Sequence, residues 1–408
     1  MRLFARRHLE KRLLRGKEDG LRYREKLGLT NVMRPDGQLI WLHAVGVGEL
    51  LALPGLIREI GRLDPALNFL LTSSAKTSAQ AIEHNLPART IHQFLPLDSP
   101  HYVERFLDHW QPQLSIWAER DIWPVFLTEL ERRAIAMALI NGRMSEKSGA
   151  SKQKAKAFFA ALYAKFRFIE VQDKTSAEQF ALLGVSPDKI RITGTLKAGA
   201  DALADQPEKR EILKTALKGR QIWLAASTHP EDEIQIFKAH KQVLQRHPDT
   251  CLILAPRDPE RATRIQKHAA DLGFQAAILR DKYNDLTGVQ IAIIDRIGQL
   301  GIWYRLADRC FVGGSFGDLG GHNPYEPALL DCAISHGPNV QNFADDYANF
   351  HRQRAAKLVK NADDLANTLL DPQFLTLRHN ATTVAEHGKL ALEDTASRLF
   401  ELLPNQEK

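Results

Sequence analysis

The sequence predicts an α/β fold with two domains, each built on a doubly wound parallel β-sheet with helices on both faces. Two observations lead to this expectation. Short β-rich runs alternate with longer helical patterns through all 408 residues, and such alternation is typical of parallel sheets. A single hydrophobic core also stops growing at about 250–300 residues, so a chain of this length is expected to divide.

Predicted strands follow one another through both halves of the chain. In the first half they are Leu39–Ala44, Phe69–Ser73, Ile91–Leu95, Leu114–Ala118, Ile135–Ile140, Phe168–Val171 and Ile190–Thr193. In the second half they are Ile222–Ala226, Cys251–Ala255, Ala276–Leu279, Val289–Ile294, Cys310–Val312 and Ala333–Ser335. Each half therefore holds enough strands for its own sheet, and the two domains are expected to face a central cleft where ligands bind.

The segment between Gly199 and Gly219 is charged and helical and has no predicted strand, so the domain boundary is placed there. We assign residues 1–27 to an N-terminal arm, 28–205 to the N-terminal domain and 206–380 to the C-terminal domain. The remaining residues, 381–408, are expected to form a C-terminal helix that packs back on a domain, in this assignment the N-terminal one.

The composition excludes several classes of protein. With 44% hydrophobic and 25% charged residues, the chain is neither disordered nor fibrous. It has no run of about 18 apolar residues that would span a membrane, and its first residues lack the apolar centre of a secretory signal. The cysteines Cys251, Cys310 and Cys332 are isolated beside apolar runs, which predicts reduced core thiols in a cytoplasmic protein.

The positive charge is concentrated in the N-terminal arm. Residues 1–27 contain ten basic and four acidic side chains and account for the whole formal net charge of +6. Lys and Arg near an anionic leaflet contribute about 1 kcal/mol each, so the arm is expected to bind a membrane surface reversibly. The alternative is a solvated charged helix. No nucleic-acid partner is predicted, because base-reading modules and interleaved aromatic residues are lacking.

The first candidate site is Gly46-Val47-Gly48-Glu49, directly after the opening strand. Its glycines let the backbone turn closely, and a helix is expected to begin near Glu49. A carboxylate at this strand end can act as a general base toward a hydroxyl. It can equally be a first-turn acid that interacts with the helix dipole, and the spacing alone favours this second interpretation.

The second candidate is the pair Glu119 and Asp121, which follows the predicted strand Leu114–Ala118. Two acids at a strand end can orient an acceptor or shift a neighbouring pKa. Asp121 can instead cap a helix that begins near Pro124, and the sequence favours neither interpretation.

A basic segment occupies residues 142–156. Its basic side chains are Arg143, Lys147, Lys152, Lys154 and Lys156, and its one acid is Glu146. Because Ser, Gly and Ala are interleaved with these charges, a mobile basic loop is expected. The alternative is simply a solvated run of charge.

The third candidate site spans two glycine turns that follow a predicted strand. Gly313-Gly314-Ser315 offers backbone N–H groups that can hold a phosphate. After the second turn, Asn323 is expected to be the N-cap of a helix, with Pro324 at its first position and Glu326 at its third. These residues can form a structural capping box or a nucleotide site with Glu326 on ribose hydroxyls, and the two glycine turns favour the nucleotide site.

Taken in order, these motifs resemble the bacterial 3-deoxy-D-manno-octulosonic acid (Kdo) transferases, GT-B glycosyltransferases that move Kdo from CMP-Kdo to a lipid A precursor. The resemblance covers nearly the whole chain from about Arg22. The motifs that carry it are His43-Ala44-x-Gly46-Val47-Gly48-Glu49, Ile122-Trp123-Pro124, residues 141–148, residues 193–197, Ser227-Thr228-His229-Pro230, residues 256–261, Gly313-Gly314-Ser315, residues 320–327 and Gly337-Pro338-x-x-x-Asn342-Phe343. Each is weak alone, but so many in the same order are jointly specific.

The resemblance implies a GT-B fold of two Rossmann-like domains and a role for each site residue. Glu49 falls on the family's catalytic base, which deprotonates the acceptor hydroxyl for an inverting displacement. The expected contacts of the CMP-sugar are Pro256, Arg257, Ile297, Gly298, Gln299, Gly313, Gly314, Ser315, Asn323, Pro324, Tyr325 and Glu326. The acceptor-side candidates are Gly48, Glu119, Asp121, Arg143 and Lys147. No metal and no resident cofactor are expected, since the sequence has no Asp-x-Asp pair, no phosphate-binding Gly-Lys loop and no Cys/His cluster.

The sequence also departs from the family pattern. The departures are Arg120 and Asp121 within the family's Glu-Thr-Glu, Thr195 in place of an Asn, Asp258 in place of a His and Gln299 in place of a Glu. Family members usually begin with an apolar membrane anchor, where this chain has the basic arm. We therefore expect a peripheral protein at the inner face of the bacterial inner membrane. The alternative hypothesis is a diverged GT-B transferase that uses another nucleotide sugar or acceptor.

Overall fold

The computed structural model of the protein describes residues 9–15, 18–83, 85–118, 122–199, 202–217, 219–280 and 286–404. The chain divides into two compact units. Unit 1 comprises Met1–Gly199 and Gly388–Lys408, and unit 2 comprises Ala200–His387. The sequence placed the two boundaries after residues 205 and 380, so the first lies slightly earlier in the structure and the second slightly later.

Unit 1 is built on a parallel sheet of seven strands with the spatial order β3-β2-β1-β4-β5-β6-β7. Its strands are β1 Leu39–His43, β2 Asn68–Ser73, β3 Thr90–Phe94, β4 Leu114–Ala118, β5 Ala136–Gly142, β6 Phe168–Val171 and β7 Ile190–Ile192. Its helices are α1 Val47–Leu63, α2 Lys76–Ile82, α3 Pro100–Trp110, α4 Pro124–Arg132, α5 Glu146–Gln153, α6 Lys156–Tyr163 and α7 Lys174–Leu182. Helices cover both faces, so the central strands β1, β2 and β4 are buried along their whole length and appear in the sequence as continuous apolar runs.

Unit 2 is built on a second parallel sheet of seven strands, in the order β10-β11-β9-β8-β12-β13-β14. Its strands are β8 Ile222–Thr228, β9 Cys251–Pro256, β10 Ala276–Leu279, β11 Ile291–Ile294, β12 Arg309–Val312, β13 Ala333–His336 and β14 Ala356–Leu358. Its helices are α8 Pro207–Ala216, α9 Pro230–Arg246, α10 Ala262–Asp271, α11 Leu300–Leu306, α12 Tyr325–Ala328, α13 Ala344–Arg352, α14 Ala362–Leu370 and α15 Leu377–Phe400. The last of these begins in unit 2 and ends among the residues of unit 1.

The predicted fold class, α/β with two doubly wound sheets, is confirmed. Each run predicted as a strand corresponds to an observed strand, and the structure adds β14 at the edge of the second sheet. The sequence missed β14 because it has only three residues, of which Lys357 and Leu358 are exposed. An edge strand of this kind lacks the continuous apolar run by which the buried strands were found.

In each sheet the strand order reverses between two central strands. In unit 1 this point lies between β1 and β4, and in unit 2 between β8 and β12. Because the strands of each sheet are parallel, their carboxyl ends lie along one edge, and ligands of open α/β sheets bind at that edge beside the reversal. The segment that contains Glu49 follows β1, and the segment Gly313-Gly314-Ser315 follows β12. The topology therefore brings both candidate segments to reversal points.

The last turns of α15 pack on the sheet of unit 1. Leu392, Ala396 and Leu399 belong to the buried apolar cluster on one face of that sheet. Beside this cluster, Thr395 Oγ1 and Arg398 Nη1 each donate a 2.6 Å hydrogen bond to the carboxylate of Glu170, which is only 1% exposed. The end of the chain is thus fixed to unit 1 by apolar packing and by a buried ion pair.

The described part of the N-terminal arm is integrated into unit 1. Lys26 is 6% exposed and donates to Glu18 at 2.5 Å and to the backbone oxygen of Ser74 at 2.7 Å. Arg22 donates to the backbone oxygen of His92 at 2.8 Å. A boundary after residue 27 therefore has no structural counterpart. Among the helices of the described residues, none is long and apolar enough to cross a membrane.

Candidate functional site

Glu49 lies in the first turn of α1, just after the reversal point of the sheet in unit 1. Gly46 is the N-cap of this helix and has an extended backbone with φ −80° and ψ 162°. The Glu49 side chain folds back over it, since a Cβ atom added to Gly46 would lie 1.8 Å from Glu49 Oε2. The half-buried carboxylate therefore occupies space that only glycine leaves open. It also lies at the positive end of the helix dipole, which stabilises its charged form.

Several buried polar atoms near the same edge have no hydrogen-bond partner in the described part of the chain. They include His43 Nε2, Trp117 Nε1 and Trp123 Nε1. His43 is 1% exposed, and its Nδ1 lies 2.9 Å from Thr72 Oγ1. Burial lowers the pKa of His43 to about 3, so this ring is neutral near neutral pH. The carboxyl edge of unit 1 thus holds polar groups that the described residues do not satisfy.

The other acceptor-side candidates are distributed unevenly around this edge. Gly48 lies next to Glu49, and a Cβ atom added there would be 3.9 Å from Lys197 Nζ. Glu119 and Asp121 lie outside the described residues. Arg143 and Lys147 are exposed.

The expectation of a mobile loop at residues 142–156 is wrong. Most of this segment forms α5, and Ser145 caps the helix by accepting a hydrogen bond from the Ser148 N–H at 3.3 Å. Gly149 lets this helix pack closely on its neighbour, because a Cβ atom there would lie 2.0 Å from Gln179 Oε1. Capping and close packing therefore outweigh the polar composition that predicted a loop.

In unit 2, one buried carboxylate organises the reversal point. Asp232 is 0% exposed and lies in the first turn of α9, directly after β8. Its oxygens accept hydrogen bonds from the backbone N–H groups of His229 at 2.9 Å, Gly314 at 2.7 Å, Ser315 at 3.2 Å and Phe316 at 3.0 Å. Hydrogen bonds to a charged acceptor are roughly twice as strong as neutral ones. Asp232 therefore ties the segment after β12 to the segment after β8.

This arrangement corrects the chemistry expected of Gly313-Gly314-Ser315. The sequence predicted a phosphate cradle of backbone N–H groups, but those of Gly314 and Ser315 already donate to Asp232. The N–H of Gly313 donates to the backbone oxygen of Ala226 at 2.8 Å. These three N–H groups are not available to a phosphate in this conformation.

The two glycines are needed for close approach instead. A Cβ atom on Gly313 would lie 2.5 Å from the backbone oxygen of Ser227, at the end of β8. A Cβ atom on Gly314, whose φ is +67°, would lie 2.9 Å from Cδ2 of the His322 ring. The pair of glycines therefore lets the turn pack against β8 and beneath His322.

His229 and His322 meet at this point. Their Nε2 atoms are 3.0 Å apart, and their rings are stacked with centroids 5.3 Å apart. Burial lowers the pKa of His322 to about 4, and His229 and Arg257 act in the same direction. Burial also lowers the pKa of His229, against the opposing effect of Asp232. Both rings are therefore neutral near neutral pH in the absence of a ligand.

Arg257 and Glu326 face the same edge. Arg257 directly follows β9, and its exposed guanidinium makes no hydrogen bond or ion pair with the described residues. Burial raises the pKa of Glu326, although the charge of Arg257 and a hydrogen bond from Asn323 counteract this. An unpaired arginine beside a largely buried carboxyl group can bind an anion and a hydroxyl side by side.

The short helix after the second glycine turn begins one residue later than predicted. It runs from Tyr325 to Ala328 with Pro324 as N-cap, whereas the sequence placed Asn323 at the cap. Asn323 Oδ1 accepts from the Tyr325 N–H at 3.0 Å, and Tyr325 Oη donates to Asp346 Oδ1 at 3.2 Å. Asn323 therefore forms a turn in front of the helix rather than the predicted capping box.

The segment Ile297-Gly298-Gln299 follows β11 and reaches the same edge. Gly298 has φ +86°, and Ile297 is 82% exposed. Gln299 is 6% exposed, and its Oε1 is buried without a hydrogen-bond partner among the described residues. Pro256, the last residue of β9, is buried. The donor-side candidates thus come together along one edge of one sheet, after β9, β11 and β12.

Sequence reasoning missed Asp232 and gave His322 no role. The signal for Asp232 was present, since an acid three residues after an N-cap is typical of a capping box and His229-Pro230 directly follows a strand. The signal for His322 was absent, because the contact with His229 joins residues far apart in the chain. Within the described residues, no group of three or more His, Cys, Asp or Glu side chains could hold a metal ion.

Solved structures share the fold at low sequence identity. The UDP-GlcNAc 2-epimerase of Neisseria meningitidis bound to UDP-GlcNAc is 10% identical with a TM-score of 0.52, and the match covers 89% of this chain and 99% of that one. A glycosyltransferase from Rickettsia africae is 12% identical with a TM-score of 0.51, covering 91% and 100%. These similarities support the GT-B type of fold.

Curated relatives are much closer in sequence. Residues 21–200 match the family described as 3-deoxy-D-manno-octulosonic-acid transferase (kdotransferase). The 3-deoxy-D-manno-octulosonic acid transferase of Rickettsia bellii is 32% identical over 404 residues, which are 96% of this chain and 95% of that protein. That of Haemophilus influenzae is 33% identical over 79% of this chain and 77% of its own length. With both units inside these alignments, the chain belongs to the 3-deoxy-D-manno-octulosonic acid transferase family.

Proposed function

We propose that this glycosyltransferase moves Kdo from CMP-Kdo to a lipid A precursor in lipopolysaccharide biosynthesis. The observation that carries the proposal is the 32% identity to the Rickettsia bellii transferase over 96% of the chain. The chemistry of both reversal points is compatible with it. Unit 2 presents groups for an anionic nucleotide, and unit 1 presents a carboxylate that can accept a proton.

The donor is proposed to bind at the carboxyl edge of unit 2. The guanidinium of Arg257 has no hydrogen bond or ion pair with the described residues and supplies positive charge for the phosphate of CMP. Glu326 can accept hydrogen bonds from the ribose hydroxyls. Gln299 Oε1, buried and unpaired, can accept a hydrogen bond from a donor group of the nucleotide. Each of these groups has spare hydrogen-bonding capacity, unlike the N–H groups held by Asp232.

The proposed base is Glu49. Its carboxylate takes the proton of the acceptor hydroxyl while the hydroxyl oxygen forms a bond to the anomeric carbon of Kdo. The bond between that carbon and the phosphate oxygen breaks, and CMP leaves with the electron pair. A direct displacement of this kind inverts the configuration at the anomeric carbon. The position of Glu49 in the first turn of α1, directly after the reversal point of unit 1, supports this role.

The test of this assignment compares Glu49→Gln with the wild type, using CMP-Kdo and a tetraacylated lipid A precursor. General base catalysis contributes about 10²–10⁴-fold, so transfer is expected to fall by that factor while CMP binding is retained. Glu104→Gln, an exposed change in the same unit, is the matched control. Unchanged transfer by Glu49→Gln would rule out Glu49 as the base.

We also propose that the transfer needs no metal and no resident cofactor. The departing phosphate gains negative charge, and the permanent positive charge of Arg257 can stabilise it. Turnover is therefore expected to be the same with excess chelator as with added Mg²⁺. A loss of turnover on chelation that Mg²⁺ restores would contradict this proposal.

A membrane location is proposed for the described part of the arm. Lys11, Arg15 and Arg24 are exposed there, as are Leu14 at 88% and Leu21 at 94%. Basic and apolar side chains together bind the surface of an anionic leaflet, and this supports the proposal that the protein binds the inner face of the inner membrane. The double variant Lys11→Glu/Arg15→Glu is expected to bind anionic vesicles less tightly than the wild type. Equal binding by both would exclude this surface.

The second candidate is a transferase for another nucleotide sugar or acceptor. It is favoured by one observation, namely that the unpaired Gln299 occupies a position where the family pattern has a Glu. A thermal-shift comparison of nucleotides separates the two candidates. Stabilisation by CMP and not by UDP supports the first, and the reverse result supports the second.

A further inference from the structure

The His229–His322 contact is the only place in the candidate donor site of the described chain where two titratable rings share a hydrogen bond. His229 precedes α9, and His322 lies in the second glycine turn, so two separate segments bring the rings together. Both rings are partly exposed, which keeps the pair accessible from solvent. The backbone oxygen of His322 accepts a hydrogen bond from Tyr347 Oη at 3.1 Å, and this bond fixes the backbone of His322.

The distance between the rings limits how many protons they hold. Two Nε2 atoms 3.0 Å apart form a hydrogen bond only if one carries a proton and the other presents a lone pair. The neutral pair satisfies this condition. If the pair gains one proton, the imidazolium ring can still donate to its neutral neighbour, but a second added proton would place two N–H groups against each other. The pair can therefore accept one proton without breaking its hydrogen bond.

The charges around the pair come from the first turn of α9 and from the segment that follows β9. On α9, Asp232 and Glu231 favour protonation of His229, and Arg261 and Arg257 oppose it. Arg257 also opposes protonation of His322. Asp232 is already held by backbone N–H groups, and Arg261 is paired with Glu233 at 2.7 Å. Arg257 is the remaining cation, and a phosphate bound to it would change the local charge in favour of protonation.

We propose that the His229–His322 pair takes up one proton from solvent as the phosphate of CMP comes to lie beside it, and so stabilises the departing nucleotide. This inference rests on the proposed function. In CMP-Kdo the phosphate is a diester with one negative charge, and cleavage of the bond to Kdo leaves a monoester that gains a second. A neighbouring pair that becomes positive at this stage stabilises that new charge electrostatically. It adds to the fixed charge of Arg257 and needs no metal.

Calorimetry of CMP binding near neutral pH tests this inference. The number of protons taken up is obtained from titrations in buffers of different ionisation enthalpy, and cytidine serves as the ligand without a phosphate. Wild-type protein is expected to take up a fraction of a proton for each CMP bound and none for cytidine. His322→Gln and His229→Gln are expected to retain CMP binding with the uptake strongly reduced. His247→Gln, at the opposite end of α9, is the matched control with unchanged uptake.

The outcomes separate this inference from the proposed function. If the wild type does not bind CMP, the proposed donor is wrong and the inference falls with it. If the wild type binds CMP but both glutamine variants take up as many protons as the wild type, only the inference is overturned. Loss of uptake in both variants, with CMP affinity measurable and His247→Gln unaffected, supports it. The two variants are independent, so a folding defect in one leaves the other decisive.

Discussion

The two reversal points of the molecule are stabilised in opposite ways. In unit 2, the Asp232 carboxylate accepts four backbone N–H groups and joins the segments that follow β8 and β12. In unit 1, His43 Nε2 and Trp117 Nε1 are buried without partners in the described chain, and Glu49 is placed by the space above Gly46. The segments that follow β8 and β12 in unit 2 are therefore fixed to each other by hydrogen bonds, whereas polar groups at the reversal point of unit 1 have no such partners among the described residues.

This difference fits the two tasks proposed for the edges. Unpartnered buried polar groups cost about 1–3 kcal/mol each, and a protein retains them mainly at functional sites. A rigid edge suits a small nucleotide, because pre-organised groups bind without further loss of entropy. An edge with spare polar groups suits a larger acceptor, whose own groups can complete the hydrogen bonding. Glycines occur at both edges and serve different purposes. Gly46 leaves room for the Glu49 carboxylate, whereas Gly313 and Gly314 let the turn after β12 pack against β8 and His322.

The largest effect is expected from removing the organising carboxylate of unit 2. Asp232→Ala leaves the N–H groups of Gly314, Ser315 and Phe316 without acceptors, at about 1–3 kcal/mol for each buried group. We expect a loss of about 3–5 kcal/mol of unfolding free energy, measured by urea denaturation, together with loss of CMP binding. Asp249→Ala, an exposed change in the same unit, is expected to stay within about 0.5 kcal/mol. If Asp232→Ala were equally mild, the contrast between the edges would fail.

The next largest effect concerns the buried histidine of unit 1. The pKa of His43 is lowered to about 3 from an ordinary 6.5, so between these values the unfolded chain binds more protons than the folded one. Stability is therefore expected to fall as pH decreases below about 6.5, by at most about 1.4 kcal/mol per pH unit for this group. His43→Gln should flatten the acid limb of a stability profile measured by denaturation at several pH values.

His322→Gln sharpens this test. Burial lowers the pKa of His322 only to about 4, and its ring is partly exposed, so its removal should flatten the profile less than His43→Gln does. His247→Gln, an exposed substitution, is expected to leave the slope unchanged. A steeper dependence on His322 than on His43 would mean that the unit 2 edge is the more strongly dehydrated of the two.

The sequence could predict the fold because the buried strands carry their signal locally. Continuous apolar runs such as Leu39–Ala44 identify strands covered on both faces, and only the exposed edge strand Ala356–Leu358 was missed. The positions of Glu49 and Gly313 at strand ends were equally predictable from the alternation of elements. Both follow from spacing along the chain.

What joins these strand ends could not be predicted from spacing. Asp232 and Gly314, whose N–H it accepts, are 82 positions apart in the chain, and His229 and His322 are 93 positions apart. Such contacts depend on which strands are neighbours, and the strand order is not written in any local motif. For the same reason, the sequence Gly313-Gly314-Ser315 predicts a phosphate cradle, although the N–H of Gly313 donates to Ala226 and those of Gly314 and Ser315 donate to Asp232. A glycine pair indicates close approach but does not identify what approaches.

A smaller effect on stability is expected at Gly314. Alanine there must adopt φ +67° and place its Cβ 2.9 Å from the His322 ring, so we expect a loss of about 1–3 kcal/mol and separation of the two imidazoles. Gly273→Ala is the matched control, since it has φ +88° but nothing within 4 Å of its Cβ. Gly273→Ala should show the backbone cost alone, with proton uptake on CMP binding intact. Equal uptake in both variants would show that the His229–His322 contact does not depend on Gly314.

The smallest effect on stability, with a large one on turnover, is expected at Gly46. Its φ is −80°, so alanine fits the backbone, and the atom it meets at 1.8 Å is the flexible end of Glu49. We expect Gly46→Ala to keep the unfolding free energy within about 0.5 kcal/mol. Transfer should fall about 10- to 100-fold, because a displacement of about 1 Å can cost that much. Gly61→Ala on the same helix, where the nearest atom is 3.8 Å away, should leave both unchanged.

A double variant decides whether Gly46 acts through Glu49. If the glycine only leaves room for the carboxylate, Gly46→Ala should reduce transfer in the wild type and have no further effect in Glu49→Gln, because the two changes remove the same interaction. Additive losses would instead show that Gly46 contributes independently, for example to acceptor binding. Glu49 would then not be the only group at the unit 1 edge that depends on Gly46. This edge would resemble the edge of unit 2 more closely than the structure indicates.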